Sequence, residues 1–152
     1  MPPFSGEYPS TIDDKNRIII PAPLRRAAGK EGQAGYYVTR GVDDCIVIQT
    51  AARFEATSAA AADQSIRQTA AGRMLERARF SRAQLTTCDR QGRFRLPVRL
   101  TEALGVRRDV VIAGVNDRIE VWDRERWQEV LREAERHLAQ GAEKIYGGQG
   151  EA

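Results

Sequence analysis

Short apolar runs bounded by turn residues dominate the pattern of hydrophobic and polar positions. Ile18-Ile19-Ile20 is a β-forming run, and Phe94-Arg95-Leu96 alternates apolar with polar as a half-buried strand does. Tyr36-Tyr37-Val38-Thr39 and Asp109-Val110-Val111-Ile112-Ala113 predict second strands. Gly41-Val42-Asp43-Asp44 and Gly114-Val115-Asn116-Asp117 predict hairpin turns leading into Cys45-Ile46-Val47-Ile48 and Arg118-Ile119-Glu120-Val121-Trp122. After each first strand, Pro21 and Pro97 stand where the strand must end, and Gly29 and Gly105 follow eight residues later. Pro at the start and Gly past the end punctuate a short helix, and Leu100, Ala103 and Leu104 give its second copy an apolar face.

Helical spacing takes over in two further places. With Asp123 as N-cap, Trp127, Val130, Leu131, Ala134 and Leu138 fall on one face of an amphipathic helix. The Ala-rich stretch from Ala51 to Ala78 reads as linker and helix, with Asp63 capping a segment that carries Ile66, Ala70, Met74 and Ala78. A disordered tail is expected from Gly147 to Ala152.

These elements occur twice. Asp13 and Asp89 lie 76 positions apart, and the same offset pairs Asn16 with Gly92, Arg17 with Arg93, Ile20 with Leu96, Pro21 with Pro97, Leu24 with Leu100 and Gly29 with Gly105. After a three-residue slip, Gly41-Val42-Asp43-Asp44 aligns with Gly114-Val115-Asn116-Asp117, and Arg53-Phe54 with Arg126-Trp127. Two copies are too few for a solenoid. They predict two units facing each other about a pseudo-twofold axis, in a mainly β, α+β fold with short helices. The expected division is a first repeat at 8–55, a helical connector at 56–82, a second repeat with its C-terminal helix at 83–138, and a tail at 139–152. Each repeat opens on an Asp-x-x-x-Arg turn, Asp13 to Arg17 and Asp89 to Arg93, with Asn16 or Gly92 where positive φ is needed.

Composition narrows the function classes. Hydrophobic residues make up 41% and charged residues 30% of 152 positions, the balance of a folded chain. No apolar run approaches a membrane span, and no signal-type leader is apparent, so an intracellular, cytoplasmic protein is expected. Cys45, Cys88 and His137 lack metal-ligand spacing, and the two cysteines read as buried thiols; neither metal nor cofactor is expected. Net charge is only +3, but Arg greatly outnumbers Lys. Lys15, Arg25 and Arg26 lie near the first turn, and Arg90, Arg95 and Arg99 near the second, where acidic residues are few. Such placement suits phosphate contact better than the net charge suggests.

With the doubled turn, its following strand and Pro, and the Asp117-Arg118-Ile119-Glu120-Val121-Trp122-Asp123 segment in place, the sequence closely resembles the MraZ family from about Tyr8 to Leu138. The resemblance implies two swapped-hairpin units of the AbrB type in one chain, forming a pseudo-twofold barrel with flanking amphipathic helices. It implies a ring-like homo-oligomer and a nucleoid-associated transcriptional regulator encoded at the head of the bacterial division and cell-wall gene cluster. It also implies double-stranded DNA as partner, read at short direct repeats by the turn arginines, here Arg17 and Arg93. Asn16 departs from the family's usual Gly, and Gln91 replaces the basic residue that Lys15 supplies, so the two turns are expected to bind unequally.

Each site residue has a second reading. Arg17 and Arg93 serve DNA, pair with Asp13 and Asp89 to hold the hairpins shut, or do both. Lys15 and Arg90 are assigned to phosphates, and Asp13, Asn16, Asp89 and Gly92 to the turns themselves. A shared-proton dyad of the two aspartates is disfavoured, because a strong base close to each one keeps it ionised; no enzyme and no small-molecule substrate are expected. The alternative to a DNA-binding regulator is an AbrB-like interaction scaffold or antitoxin-like module in which DNA binding is secondary. Trp122 and Trp127 read as core, with a subunit interface as the alternative, His137 as solvated, and Arg73, Arg77, Arg79 and Arg82 as a solvated or subunit-facing helix surface, with the lining of a DNA groove as the alternative.

Overall fold

The computed structural model describes residues 2–61 and 64–145; Asp63 and the tail at 147–152 lie outside the described residues. In chain order the elements are β1 (Glu7–Thr11), β2 (Arg17–Ile19), α1 (Ala22–Gln33), β3 (Tyr36–Arg40), β4 (Ile46–Thr50), α2 (Ala51–Ala61), α3 (Gln64–Arg67), α4 (Ala70–Phe80), β5 (Gln84–Thr86), β6 (Arg93–Arg95), α5 (Val98–Ala103), β7 (Asp109–Val115), β8 (Arg118–Asp123) and α6 (Arg124–Ile145). The fold is mixed α+β, mostly sheet with short helices, and doubled. Pro21 and Pro97 cap α1 and α5, while Gly29 and Gly105 leave helical geometry at φ 56° and 62°. Those values belong to the left-handed region that glycine enters without steric cost.

All strand pairs are antiparallel, and six strands run in the order β1-β7-β8-β4-β3-β5. The two repeats meet at the centre, where Ile46 faces Val121, Val47 faces Glu120 and Ile48 faces Ile119. A separate two-stranded ribbon joins β2 to β6, with Ile18 opposite Phe94. At the centre of each pairing equivalent residues stand opposite each other, Val47 with Glu120 and Ile18 with Phe94, and the flanking pairs are exchanged about them, so one pseudo-twofold axis relates the whole. The outer strands are exchanged: β1 of the first repeat lies on β7 of the second, and β5 of the second lies on β3 of the first. Strand pairing leaves β1 and β5 as edges. The expected barrel is therefore an open six-stranded sheet faced by a ribbon, without hydrogen-bonded closure among the described residues.

The main core lies between ribbon and sheet. Ile18, Ile20, Phe94 and Leu96 point inward from the ribbon onto Val38, Ile46, Ile48, Val110, Ile112, Ile119 and Val121, with Leu24 and Leu100 from the short helices closing the sides. Tyr36 meets Phe94 edge to face at 5.8 Å, the arrangement preferred by ring quadrupoles. The opposite sheet face is covered too, which is why every residue of β4 is buried. There Cys45, Val47 and Trp122 pack against Trp127 and Val130 of α6, and Tyr37 stacks on Phe54 of α2 at 4.2 Å. Trp122 and Trp127 are thus packing residues, and the Trp127 indole N–H also donates to Glu7 of β1.

Two expectations change and a third is extended. β1 and β5 precede the turns as strands where only turn chemistry was legible. The connecting helix breaks, leaving Ile66 on α3, and α4 starts from Thr69, whose hydroxyl accepts the Gly72 N–H at 2.9 Å. Asp123 closes β8 and receives the Arg107 N–H and guanidinium at 3.0 Å each, as well as the Glu125 N–H at the start of α6. It therefore ties the segment leading into β7 to the helix as well as capping it.

Candidate functional site

Each Asp-x-x-x-Arg segment is a tight hairpin connection with the same bonds. In the first, the Asp13 N–H donates to the Arg17 carbonyl at 2.9 Å and the Asn16 N–H to the Asp13 carbonyl at 3.0 Å, with Asn16 at φ 60°. In the second, the Asp89 N–H donates to the Arg93 carbonyl and the Gly92 N–H to the Asp89 carbonyl, both at 3.0 Å, with Gly92 at φ 83°. A β-turn followed by one left-handed residue is a standard way to close a three-residue hairpin loop.

The aspartates brace these loops from inside. Asp13 Oδ1 accepts the Lys15 and Arg17 N–H groups at 2.9 and 2.8 Å, and its Oδ2 accepts Arg17 Nε at 2.9 Å. Asp89 repeats the pattern with Gln91 N–H, Arg93 N–H and Arg93 Nε at 2.9, 2.9 and 2.6 Å. The Arg backbone N–H foremost, and then the Arg side chain and the loop N–H, hold both carboxyls below the ordinary aspartate value. The two carboxylates sit in separate hairpins at opposite ends of the antiparallel ribbon, each bound to its own arginine. That arrangement is a pair of braces and has no geometry of a dyad.

Holding each guanidinium through Nε leaves its two terminal nitrogens without a partner among the described residues. Arg17 and Arg93 are partly exposed, 25% and 40% at the side chain. The ribbon places them together. Because Ile18, Ile20, Phe94 and Leu96 turn inward, Arg17, Ile19, Arg93 and Arg95 share the outer face. Ile20 N–H donates to the Gly92 carbonyl and Leu96 N–H to the Asn16 carbonyl. The outward pairs Arg17–Arg95 and Ile19–Arg93 are therefore the non-hydrogen-bonded ones, with Cα atoms roughly 4.5 Å apart. Arg17 and Arg93 are diagonal neighbours across the same face, about 7–8 Å apart. Like charges directly opposite destabilise a ribbon, and Arg95 has no acidic partner among the described residues. Lys15 and Arg90 occupy the two loops as exposed side chains, also without a side-chain partner among the described residues.

Behind the face, the pseudo-equivalent positions are filled differently. Asn16 Nδ2 donates to the Leu96 carbonyl at 2.8 Å and lies 3.3 Å from Thr101 Oγ1. On the other side Gly92 leaves room that the Arg25 guanidinium occupies, and Arg25 Nε donates to the equivalent carbonyl of Ile20 at 3.0 Å. Sequence reasoning singled out the loop residues but not Ile19, Thr101 or the full outer face. The alternation of Arg93-Phe94-Arg95-Leu96 carried part of that signal.

The remaining candidates sit elsewhere. Cys45 is buried and Cys88 half-buried, both as free thiols, and no group of three or more His, Cys, Asp or Glu among the described residues is placed to hold a metal ion. His137 is exposed on α6 near Glu133. No helix among the described residues is long and apolar enough to cross a membrane.

The chain is thus internally duplicated, its halves exchange their outer strands, and its braced Asp-Arg loops flank a ribbon whose outer face carries Arg17, Arg93 and Arg95. The family model described as "MraZ protein, putative antitoxin-like" matches residues 3–77 and again 79–147. The chain is 39% identical over 144 residues to the Transcriptional regulator MraZ of Symbiobacterium thermophilum, covering 92% of this chain and 98% of that protein. It is 38% identical over 146 residues to the protein of the same name from Moorella thermoacetica, covering 93% and 96%. The chain belongs to the MraZ family, whose curated members carry the name of a transcriptional regulator and not of an enzyme.

Proposed function

We propose that this protein is a sequence-specific DNA-binding transcriptional regulator that acts at the nucleoid without a cofactor. The observation that carries the reading is the outer face of the β2–β6 ribbon, where Arg17, Arg93 and Arg95 stand together and the first two are locked through Nε by Asp13 and Asp89. A two-stranded ribbon fits the major groove, and a guanidinium with free terminal nitrogens matches a guanine edge. Lys15 and Arg90, projecting from the loops at either end, suit the flanking phosphates. A ring of protomers would set several such ribbons along one duplex, so individually modest contacts sum through effective concentration at short direct repeats ahead of the division and cell-wall genes.

The test is a titration of the full chain against the duplex upstream of its own gene at several salt concentrations. Arg17→Ala and Arg93→Ala should each weaken specific binding by about 1–3 kcal/mol and relax base preference. Lys15→Ala should weaken binding to all sequences and lower the salt slope by about one. Unchanged affinity in both arginine variants, with the assembly intact, would refute the assignment. The family description as antitoxin-like favours a second reading, a protein-binding module with secondary DNA contact. That reading predicts binding without base preference at physiological salt.

A further inference from the structure

The pseudo-twofold axis that relates the two turns is broken on the ribbon's outer face at one pair of positions. Arg17 and Arg93 are equivalent and identical, but their outward neighbours two residues on are Ile19 in β2 and Arg95 in β6. Register therefore sets Arg17 against Arg95 at one end and Arg93 against Ile19 at the other. Ile19 is 55% exposed, while Ile18 and Ile20 on either side of it fill the core. The core accordingly gives no reason for an isoleucine here. An aliphatic side chain in water, framed by guanidinium groups, has one matching feature in a duplex groove: the 5-methyl group of thymine, which the major groove displays beside the hydrogen-bonding edges.

Building on the DNA-binding reading above, we infer that Ile19 and Arg95 make the ribbon read its site with a fixed polarity. Ile19 packs on a thymine methyl next to the base pair contacted by Arg93, and Arg95 adds a cationic contact beside Arg17. A face with Arg at all four positions, or with Ile at both outer ones, would read a palindrome. This face reads an unequal site, which has a direction along the duplex.

Duplexes selected by the full-length protein from a randomised pool provide the probe, with each thymine of the best site replaced in turn by deoxyuridine, which removes only the methyl. One replacement should weaken wild-type binding about fourfold, the burial of a single methyl group. Ile19→Ala should bind the thymine and uracil duplexes equally, Ile19→Val should keep the discrimination, and Ile19→Arg should select a more palindromic site. Because position 19 lies outside the core, Ile19→Ala and Ile19→Val should unfold near the wild-type temperature, whereas Ile19→Arg, set directly opposite Arg93, should unfold somewhat lower yet remain folded. A wild-type protein that selects a sequence yet tolerates uracil throughout overturns the inference alone, as does an Ile19→Ala variant that still discriminates. A wild-type protein that selects no sequence at all overturns the DNA reading beneath it.

Discussion

The unequal packing behind the two loops allows a quantitative test at Asn16. Its φ of 60° lies in the left-handed region, and its amide joins the first loop to the second repeat through the Leu96 carbonyl. In Asn16→Gly the backbone conformation is kept without steric cost, and the loss is that of the partly buried hydrogen bonds to the Leu96 carbonyl and the Thr101 hydroxyl, about 1–2 kcal/mol together, plus about 0.5–1 kcal/mol for the added freedom of the unfolded chain. Asn16→Ala forfeits the same bonds and in addition holds a Cβ in the left-handed region, about 1–2 kcal/mol. Alanine should therefore be the worse replacement by up to about 1 kcal/mol, the reverse of its usual rank. Thermal unfolding at one fixed protein concentration reads this as about 2–4 °C per kcal/mol for a chain of this size. The mirrored position supplies the control. Gly92→Asn would bring a Cβ to 2.9 Å from the Arg25 guanidinium and displace it from the Ile20 carbonyl, so it should destabilise alone. Combined with Arg25→Thr it recreates the Asn16–Thr101 arrangement and should recover much of the loss. Glycine at 16 proving no better than alanine, or a double variant no better than Gly92→Asn, would refute the reasoning.

Two further outcomes follow from the carboxylates and thiols. Since Asp13 and Asp89 titrate lower in the folded chain than in the unfolded one, their stabilisation is complete above the ordinary aspartate value near pH 4 and is lost as pH falls through their lowered values. Replacing both by Asn should flatten the stability–pH curve in that acidic window and leave its neutral shape unchanged, as measured by denaturant unfolding across pH. Burial pushes the Cys45 thiol well above its normal range and Cys88 up to about 11. Alkylation of the native protein at pH 8 should be slow at both, slower at the more deeply buried Cys45, and should become fast at both on unfolding.

Much of the fold was legible because it is local. The Pro and Gly punctuation of α1 and α5, the positive-φ residues of the loops and the hairpins after Gly41 and Gly114 rest on side chains within a few residues of each other. What stayed hidden depends on partners far along the chain. Glu7–Thr11 carries a proline and an exposed polar face, and Gln84–Thr86 is three residues long. Each is a strand because β7 or β3 supplies its hydrogen bonds, and no periodicity announces that exchange. The same holds for the site. Ile18-Ile19-Ile20 reads as a uniform apolar run, and only its pairing with β6 shows that the middle residue faces outward beside three arginines.

Joining both halves in one polypeptide has a consequence for how such a surface can diversify. A dimer of two identical hairpins must accept every substitution twice, once on each side of its axis, so a change that suits one side is imposed on the other. Here the copies are separate stretches of one gene product, and the opposed positions have parted company: Asn16 with Thr101 on one side, Gly92 with Arg25 on the other, and Ile19 against Arg95 at the surface. Duplication within the chain thus turns an obligate symmetry into an independent choice at each position, while the exchanged strands keep the halves from separating.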